Sequence, residues 1–267
     1  RLWGEARGRG LLDELLVPAL DRTVPLPEGD DAAVRATEHL DLAASADGGP
    51  RPGAAAGATE PGSVVPERVL EAFGYRVRFV NAGCCGRAMI STALLADAIG
   101  TIDGTLERLA LVIEDESVRA VVVCEPSCLS AIKDDWLELK ARTPLAVREK
   151  LAGKSWLVEE FLERDWDAHP RRPVVEGSRA GGLVLHGHCH QKALWGAGSS
   201  GALLKRLLGD VKVLDSGCCG MAGSFGYTQD HYDLSMKIGE LVLFPAVREN
   251  AGACVVAPGT SCRHQIK

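Results

Sequence analysis

The sequence reads Cys84-Cys85-Gly86 and, 134 residues later, Cys218-Cys219-Gly220. Each pair is followed by Ser-Cys, Ser127-Cys128 and Ser261-Cys262, 43 residues after its second cysteine. The same shift lays Val121-Val122 on Val255-Val256, and Val77, Phe79 and Val80 on Val211, Val213 and Leu214. An internal repeat constrains the architecture before any single element does. Its period is the size of a small domain, so two pseudo-repeated lobes are expected rather than a solenoid.

At 267 residues the chain is long enough for one large domain or two small ones. Its 46% hydrophobic and 25% charged residues are those of a globular protein, and a net charge of -6 argues against a nucleic-acid surface or a polybasic membrane patch. No apolar run approaches the ~20 residues of a membrane span. Nine cysteines, an odd number with two adjacent pairs, do not resemble a small secreted disulfide scaffold. Adjacent cysteines bridge each other only with strain. A cytoplasmic, reducing setting is expected, or a peripheral one at the inner face of the membrane, with thiolates available for metal. The sequence opens at Arg1 without a signal-like segment and reads as a portion of a longer polypeptide.

Residues 1–65 are expected to be poorly defined, with one short helix at Leu11–Leu20. In 43–63, 17 of 21 residues are Ala, Gly, Pro or Ser, the composition of a linker. The first lobe spans 66–175. Its pattern predicts a helix from Pro66 to Phe73, a strand Arg76–Val80, and a helix Thr92–Ile113 with Leu94, Leu95, Ala98 and Ile102 on one face. A strand Arg119–Val123 and helices at 129–140 and 156–164 follow. The second lobe spans 176–267, with strands at Leu183–His186, Val211–Leu214 and Ala253–Ala257 and helices at 201–208 and 231–249. Alternating strands and helices imply an α/β fold with mainly parallel sheets. The grouped cysteines then fall at the strand C-terminal ends, where open α/β sheets gather their sites.

In the second lobe, Cys189, Cys218, Cys219 and Cys262 come from three strand ends. Four converging thiolates match the ligand count of a [4Fe-4S] cluster. Tetrahedral zinc also accepts four sulfurs, though its thiolates usually come from short paired knuckles. Buried structural cysteines are the third reading. Gly217, Gly220 and Gly223 would let the backbone approach a cluster and aim N–H groups at it. His188, His190 and Lys192 flank Cys189 as hydrogen-bond donors to a cluster or bound acid, or as direct histidine ligands. The first lobe offers only Cys84, Cys85 and Cys128, because the shift of 134 puts Ala55 where Cys189 stands. Cys124 lies outside the repeated pattern, and Cys254 reads as a strand residue. Ala152-Gly153-Lys154-Ser155 lacks the upstream glycine of a phosphate loop, where Arg148 stands instead.

Several segments together resemble a known family. They are Pro126-Ser127-Cys128, His186-Gly187-His188-Cys189-His190-Gln191-Lys192-Ala193, the run from Ser216-Gly217-Cys218-Cys219-Gly220 to Tyr227, and the run from His231 to Lys237. Over about residues 66–267 the chain resembles the duplicated cysteine-rich (CCG) domain of iron–sulfur oxidoreductases. It is most similar to the C-terminal part of flavin-linked 2-hydroxy-acid dehydrogenases of the D-lactate or glycolate type, and to the glycolate oxidase iron–sulfur subunit. The family pattern ends in Cys-x-x-Cys, whose earlier position here holds Glu125 or Gly259. The resemblance implies a four-ligand [4Fe-4S] site in the second lobe and an electron relay to a quinone, cytochrome or other acceptor. FAD would sit on a flavoprotein domain or subunit outside this chain, with a ferredoxin-type iron–sulfur domain beside it. Two alternatives remain: a heterodisulfide-reductase-like thiol/disulfide subunit, and a non-catalytic zinc-stabilised interaction domain.

Overall fold

The computed structural model describes residues 33–37, 66–175 and 182–266. The expected helix at Leu11–Leu20, the stretch 43–63 and Ala55 lie outside the described residues. Strands β1 (Ala33–Thr37), β2 (Arg76–Phe79), β3 (Val118–Val123) and β4 (Ser155–Leu157) form one sheet in the order β2-β1-β3-β4. Strands β5 (Leu183–Leu185), β6 (Val211–Val213) and β7 (Cys254–Val256) form a second, ordered β6-β5-β7. Every pairing is parallel, and helices connect the strands, so the fold is α/β.

The sequence pattern gives no strand at Ala33–Thr37, yet β1 lies between β2 and β3. Its register is informative. Val34 lies opposite Val77 and Ala120, as Leu183 lies opposite Val211 and Cys254. The position after β1 that would match Cys189 lies outside the described residues. The connection from β1 to β2 is longer than that from β5 to β6, so no single shift carries all three strands.

The helices of the 66–175 part are α1 (Pro66–Ala72), α2 (Arg87–Ser91), α3 (Leu95–Glu114), α4 (Pro126–Ser130), α5 (Leu145–Lys154) and α6 (Val158–Arg164). The expected helix 92–113 starts late because Ala93 takes a positive φ of 62°, which separates α2 from α3. Ala98 and Ile102 are buried as expected, but Leu94 and Leu95 are exposed. The expected helix 129–140 starts earlier, at Pro126, where a ring with fixed φ suits the first turn. It runs through a π turn (Ala131–Asp135) into Trp136–Glu138. Trp156 belongs to β4, not to the helix after it. Lys154 ends α5 and Ser155 opens β4, helix before strand, the reverse of a phosphate loop.

Beyond residue 182 come α7 (Cys189–Leu194), α8 (Gly198–Leu208), α9 (Gln229–Leu241), α10 (Leu243–Glu249) and α11 (Thr260–Ile266). The single helix expected at 231–249 breaks at Val242. Pro245 has no N–H to return to the Leu241 carbonyl, and its ring crowds that carbonyl.

Strand β3 shows how the core is divided. Val121 and Val123 pack with Ile102, Leu106, Leu129 and Trp136 on one face. Ala120 and Val122 pack with Leu70, Phe73, Phe161 and Leu162 on the other. A parallel sheet is normally covered on both faces in this way. Leu203 and Leu207 of α8 join the second cluster, so the C-terminal part completes the core of the first sheet. Burying a leucine of this kind contributes about 2 kcal/mol. A third cluster under the second sheet includes Val184, Leu214, Met221 and Leu243, together with Cys219 and Cys262.

Candidate metal centre

Three parallel strands deliver the second cysteine group. Cys189 opens α7 after β5, Cys218 and Cys219 follow β6, and Cys262 lies in the first turn of α11 after β7. Cys219 and Cys262 are buried, and Cys189 and Cys218 are half-buried. The thiols stand in sequence: Cys189 beside Cys218, Cys218 beside Cys219, Cys219 beside Cys262. Hydrogen bonding to Cys218, then burial, raises Cys189 above the usual thiol range. Hydrogen bonds from Cys189 and Cys219 hold Cys218 far below that range despite burial. Cys219 is raised by its bonds to Cys218 and Cys262 and by burial. Cys262 is lowered to about 5, by Cys219 first, against burial and with His186 beside it. The arrangement favours thiolate character at Cys218 and Cys262, the form that binds metal.

The expected glycine roles differ from one position to the next. Gly220 donates its N–H to Cys218 Sγ at 3.3 Å. Its φ is 106°, and a Cβ there would lie 2.2 Å from the Ser235 carbonyl oxygen. Gly217 and Gly223 have nothing within 4 Å of a built Cβ. Lys192 ties the loop down: its ammonium contacts the Ser216 carbonyl and reaches the Gly217 carbonyl at 3.2 Å.

The flanking histidines face the 66–175 part. His188 caps α7, its Nδ1 accepting the His190 N–H at 3.2 Å, and its Nε2 lies 3.8 Å from Glu125 Oε1. His190 Nδ1 lies 3.0 Å from Ser130 Oγ, and burial, then Arg87 nearby, lowers its pKa to about 4. Glu125 stands at the earlier position of the family's Cys-x-x-Cys, and the sequence gives it no role of its own. Its carboxylate accepts the Ser127 hydroxyl at 3.0 Å and, across the seam, the Thr260 N–H at 2.8 Å. Burial would raise it, but His188 beside it and these donors hold it below the usual carboxylate range. The one signal in the sequence is the repeat itself, which aligns Glu125 with Gly259. A Cβ at Gly259 would lie 2.1 Å from the His188 ring, so the imidazole fills the space of a side chain there.

The first cysteine group also comes together. Cys85 Sγ and Cys128 Sγ are 3.1 Å apart, both buried. The Gly86 N–H meets Cys84 Sγ at 3.3 Å, the same contact that Gly220 makes to Cys218. Burial raises the Cys128 thiol, and the charges of Glu125 and Cys84 add to the effect. Cys254 is half-buried in β7, opposite Leu183.

His186, fully buried at the end of β5, is a second residue that the sequence pattern does not mark as functional. Its Nδ1 lies 2.7 Å from Ser216 Oγ, while Nε2 is buried without a hydrogen-bond partner. Ligand atoms of His186, Cys219 and Cys262 all lie within 4.8 Å of one another.

Comparison with known proteins agrees with this geometry. Residues 189–267 match the family model of the cysteine-rich domain CCG. The chain is 25% identical over 202 residues to one component of the anaerobic glycerol-3-phosphate dehydrogenase of Escherichia coli K12, covering 75% of this chain and 49% of that protein. It is 25% identical over 204 residues to the D-2-hydroxyglutarate dehydrogenase of Pantoea ananatis, covering 75% of this chain and 19% of that protein. The D-2-hydroxyglutarate dehydrogenase of E. coli K12 is 35% identical over 113 residues, 42% of this chain and 11% of that protein. The chain thus spans about half the length of the first relative and about a fifth of the second. No solved structure matches significantly. No helix among the described residues is long and apolar enough to cross a membrane. The relatives are a dehydrogenase subunit and dehydrogenases, and residues 189–267 match the cysteine-rich domain CCG.

Proposed function

We propose that this chain is the iron–sulfur electron-relay portion of a flavin-linked dehydrogenase acting on a 2-hydroxy acid. The observation that carries the reading is the run of four neighbouring thiols, Cys189, Cys218, Cys219 and Cys262, presented by three parallel strand ends. These residues fit a [4Fe-4S] cluster in donor type and number. The Gly220 N–H at the Cys218 sulfur and the unpartnered buried nitrogen of His186 also suit a site that receives a metal. A bound cluster supplies one-electron storage between a flavin and an acceptor. The chain's own residues set its surroundings: Lys192 pins the Ser216–Gly217 loop, and Glu125 ties α11 to the neighbouring part. Substrate oxidation, FAD, a ferredoxin-type domain and the acceptor, a quinone or cytochrome, belong to other domains or subunits. A cytoplasmic place, free or at the membrane's inner face, goes with this role.

The shared registers of β2-β1-β3 and β6-β5-β7 support a duplicated pair of lobes. In this reading the lobe of Cys84, Cys85 and Cys128 mainly supplies packing and a partner surface.

Zinc is the competing occupant, because the close grouping of His186, Cys219 and Cys262 also suits one ion. Iron and acid-labile sulfide analysis of anaerobically purified protein decides. Iron with sulfide, lost on changing any of the four cysteines to Ser and kept in Cys254→Ser, is the expected result. Stoichiometric zinc without sulfide rejects the electron-relay reading.

A further inference from the structure

We propose that His186 is itself a ligand of the metal centre, bound through Nε2 to the iron that Cys219 or Cys262 holds. The inference rests on the cluster reading above and adds a nitrogen donor to it. His186 is 0% exposed. Nε2 is buried without a nitrogen or oxygen partner and on that side the ring meets only the Cys262 thiol, a weak partner, so the site is better satisfied by a metal.

The other side of the ring is fixed. Nδ1 lies 2.7 Å from Ser216 Oγ, and Lys192 Nζ lies 3.4 Å from the same oxygen. An ammonium only donates, so Ser216 Oγ accepts from Lys192; with Nε2 on a metal, the proton sits on Nδ1 and is donated to that same oxygen. In that form Nε2 turns its lone pair to the side of Cys219 and Cys262. Metal-binding histidines commonly give their second N–H to such an oxygen, which orients the ring and raises its basicity.

The separations agree. Two donors on one metal, with bonds of about 2.0 Å to nitrogen and 2.3 Å to sulfur, stand between 3 and 4 Å apart, roughly. The His186, Cys219 and Cys262 atoms lie within 4.8 Å of one another, so movement on the order of an ångström brings Nε2 to the iron that either cysteine holds, while the two sulfurs, on different irons, move apart. Five donors then meet four irons, and one iron carries two protein ligands.

The test uses anaerobically prepared protein carrying [15N]histidine, reduced and examined by pulsed electron paramagnetic resonance after iron and sulfide have been counted. The expected result is the strong coupling of a directly bonded nitrogen, present in His188→Gln and His190→Gln and absent in His186→Gln. His186→Cys, which keeps a metal donor if the Gln variant does not fold, should retain iron, lose the coupling and lower the reduction potential by its added charge. A cluster with only weak nitrogen couplings, unchanged in His186→Cys, overturns the ligand and leaves the relay reading standing. Wild-type protein without iron and sulfide overturns both.

Discussion

Replacing Glu125 tests whether the seam supports the centre. Its side chain is 8% exposed, accepts hydrogen bonds from Ser127 and Thr260, and faces His188 at 3.8 Å. Glu125→Ala leaves these donors facing a buried gap. Leaving buried donors without an acceptor costs about 1–3 kcal/mol each. Glu125→Gln keeps a carbonyl oxygen for the Thr260 N–H and gives up only the charge and one acceptor, a loss of about 1–2 kcal/mol. Urea unfolding under anaerobic reducing conditions, followed by tryptophan fluorescence, should rank wild type above Gln and Gln above Ala. Because Thr260 opens the helix that carries Cys262, iron retention should fall in the same order. If both variants unfold within about 0.5 kcal/mol of wild type, Glu125 is not holding the seam and the argument from its contacts fails.

Three further outcomes are expected. Gly220→Ala, with its Cβ against the Ser235 carbonyl, should cost more than about 3 kcal/mol and release iron, whereas exposed Gly217→Ala should stay within about 1 kcal/mol in the same unfolding assay. Burial would raise Asp103, but the N–H groups and side chains of Thr143 and Arg142 bring it down to about 2, so its contribution is present above the ordinary carboxylate range and lost as pH falls toward 2. Arg142 is 76% exposed and keeps water near, so the contribution is about 1–2 kcal/mol, seen as a melting difference between wild type and Asp103→Asn at pH 6 that shrinks toward pH 2.5. A Cys84→Ser, Cys85→Ser double variant should keep most iron and electron transfer, and a Cys218→Ser, Cys219→Ser variant should lose both; equal losses would reject the proposed asymmetry.

The strands that end in cysteines are legible in the sequence because each is a short apolar run that stops at a chemically distinctive residue. Strand β1 is not. Ala33–Thr37 has one branched apolar residue and an arginine, and its place in the sheet comes from neighbours on both sides, which outweigh local preference. Leu94 and Leu95 fit a helical apolar face, but the turn at Ala93 rotates them outward. The thiols can be read as a group since sulfur chemistry is visible in the letters. The roles of Glu125 and His186 cannot, because they depend on which side chain lies across a seam and which ring nitrogen lacks a partner.

The packing of α8 against α6 has a consequence for synthesis. A chain leaving the ribosome finishes every strand of the first sheet by Leu157, yet Leu203 and Leu207 still lie inside the tunnel or unmade. Until they emerge, the face of α6 that Leu203 and Leu207 cover stays open beside a sheet that is otherwise assembled. The nascent N-terminal half is thus committed to wait for its own C-terminal half, and a translational pause between residues 157 and 203 would prolong the exposure of an adhesive surface.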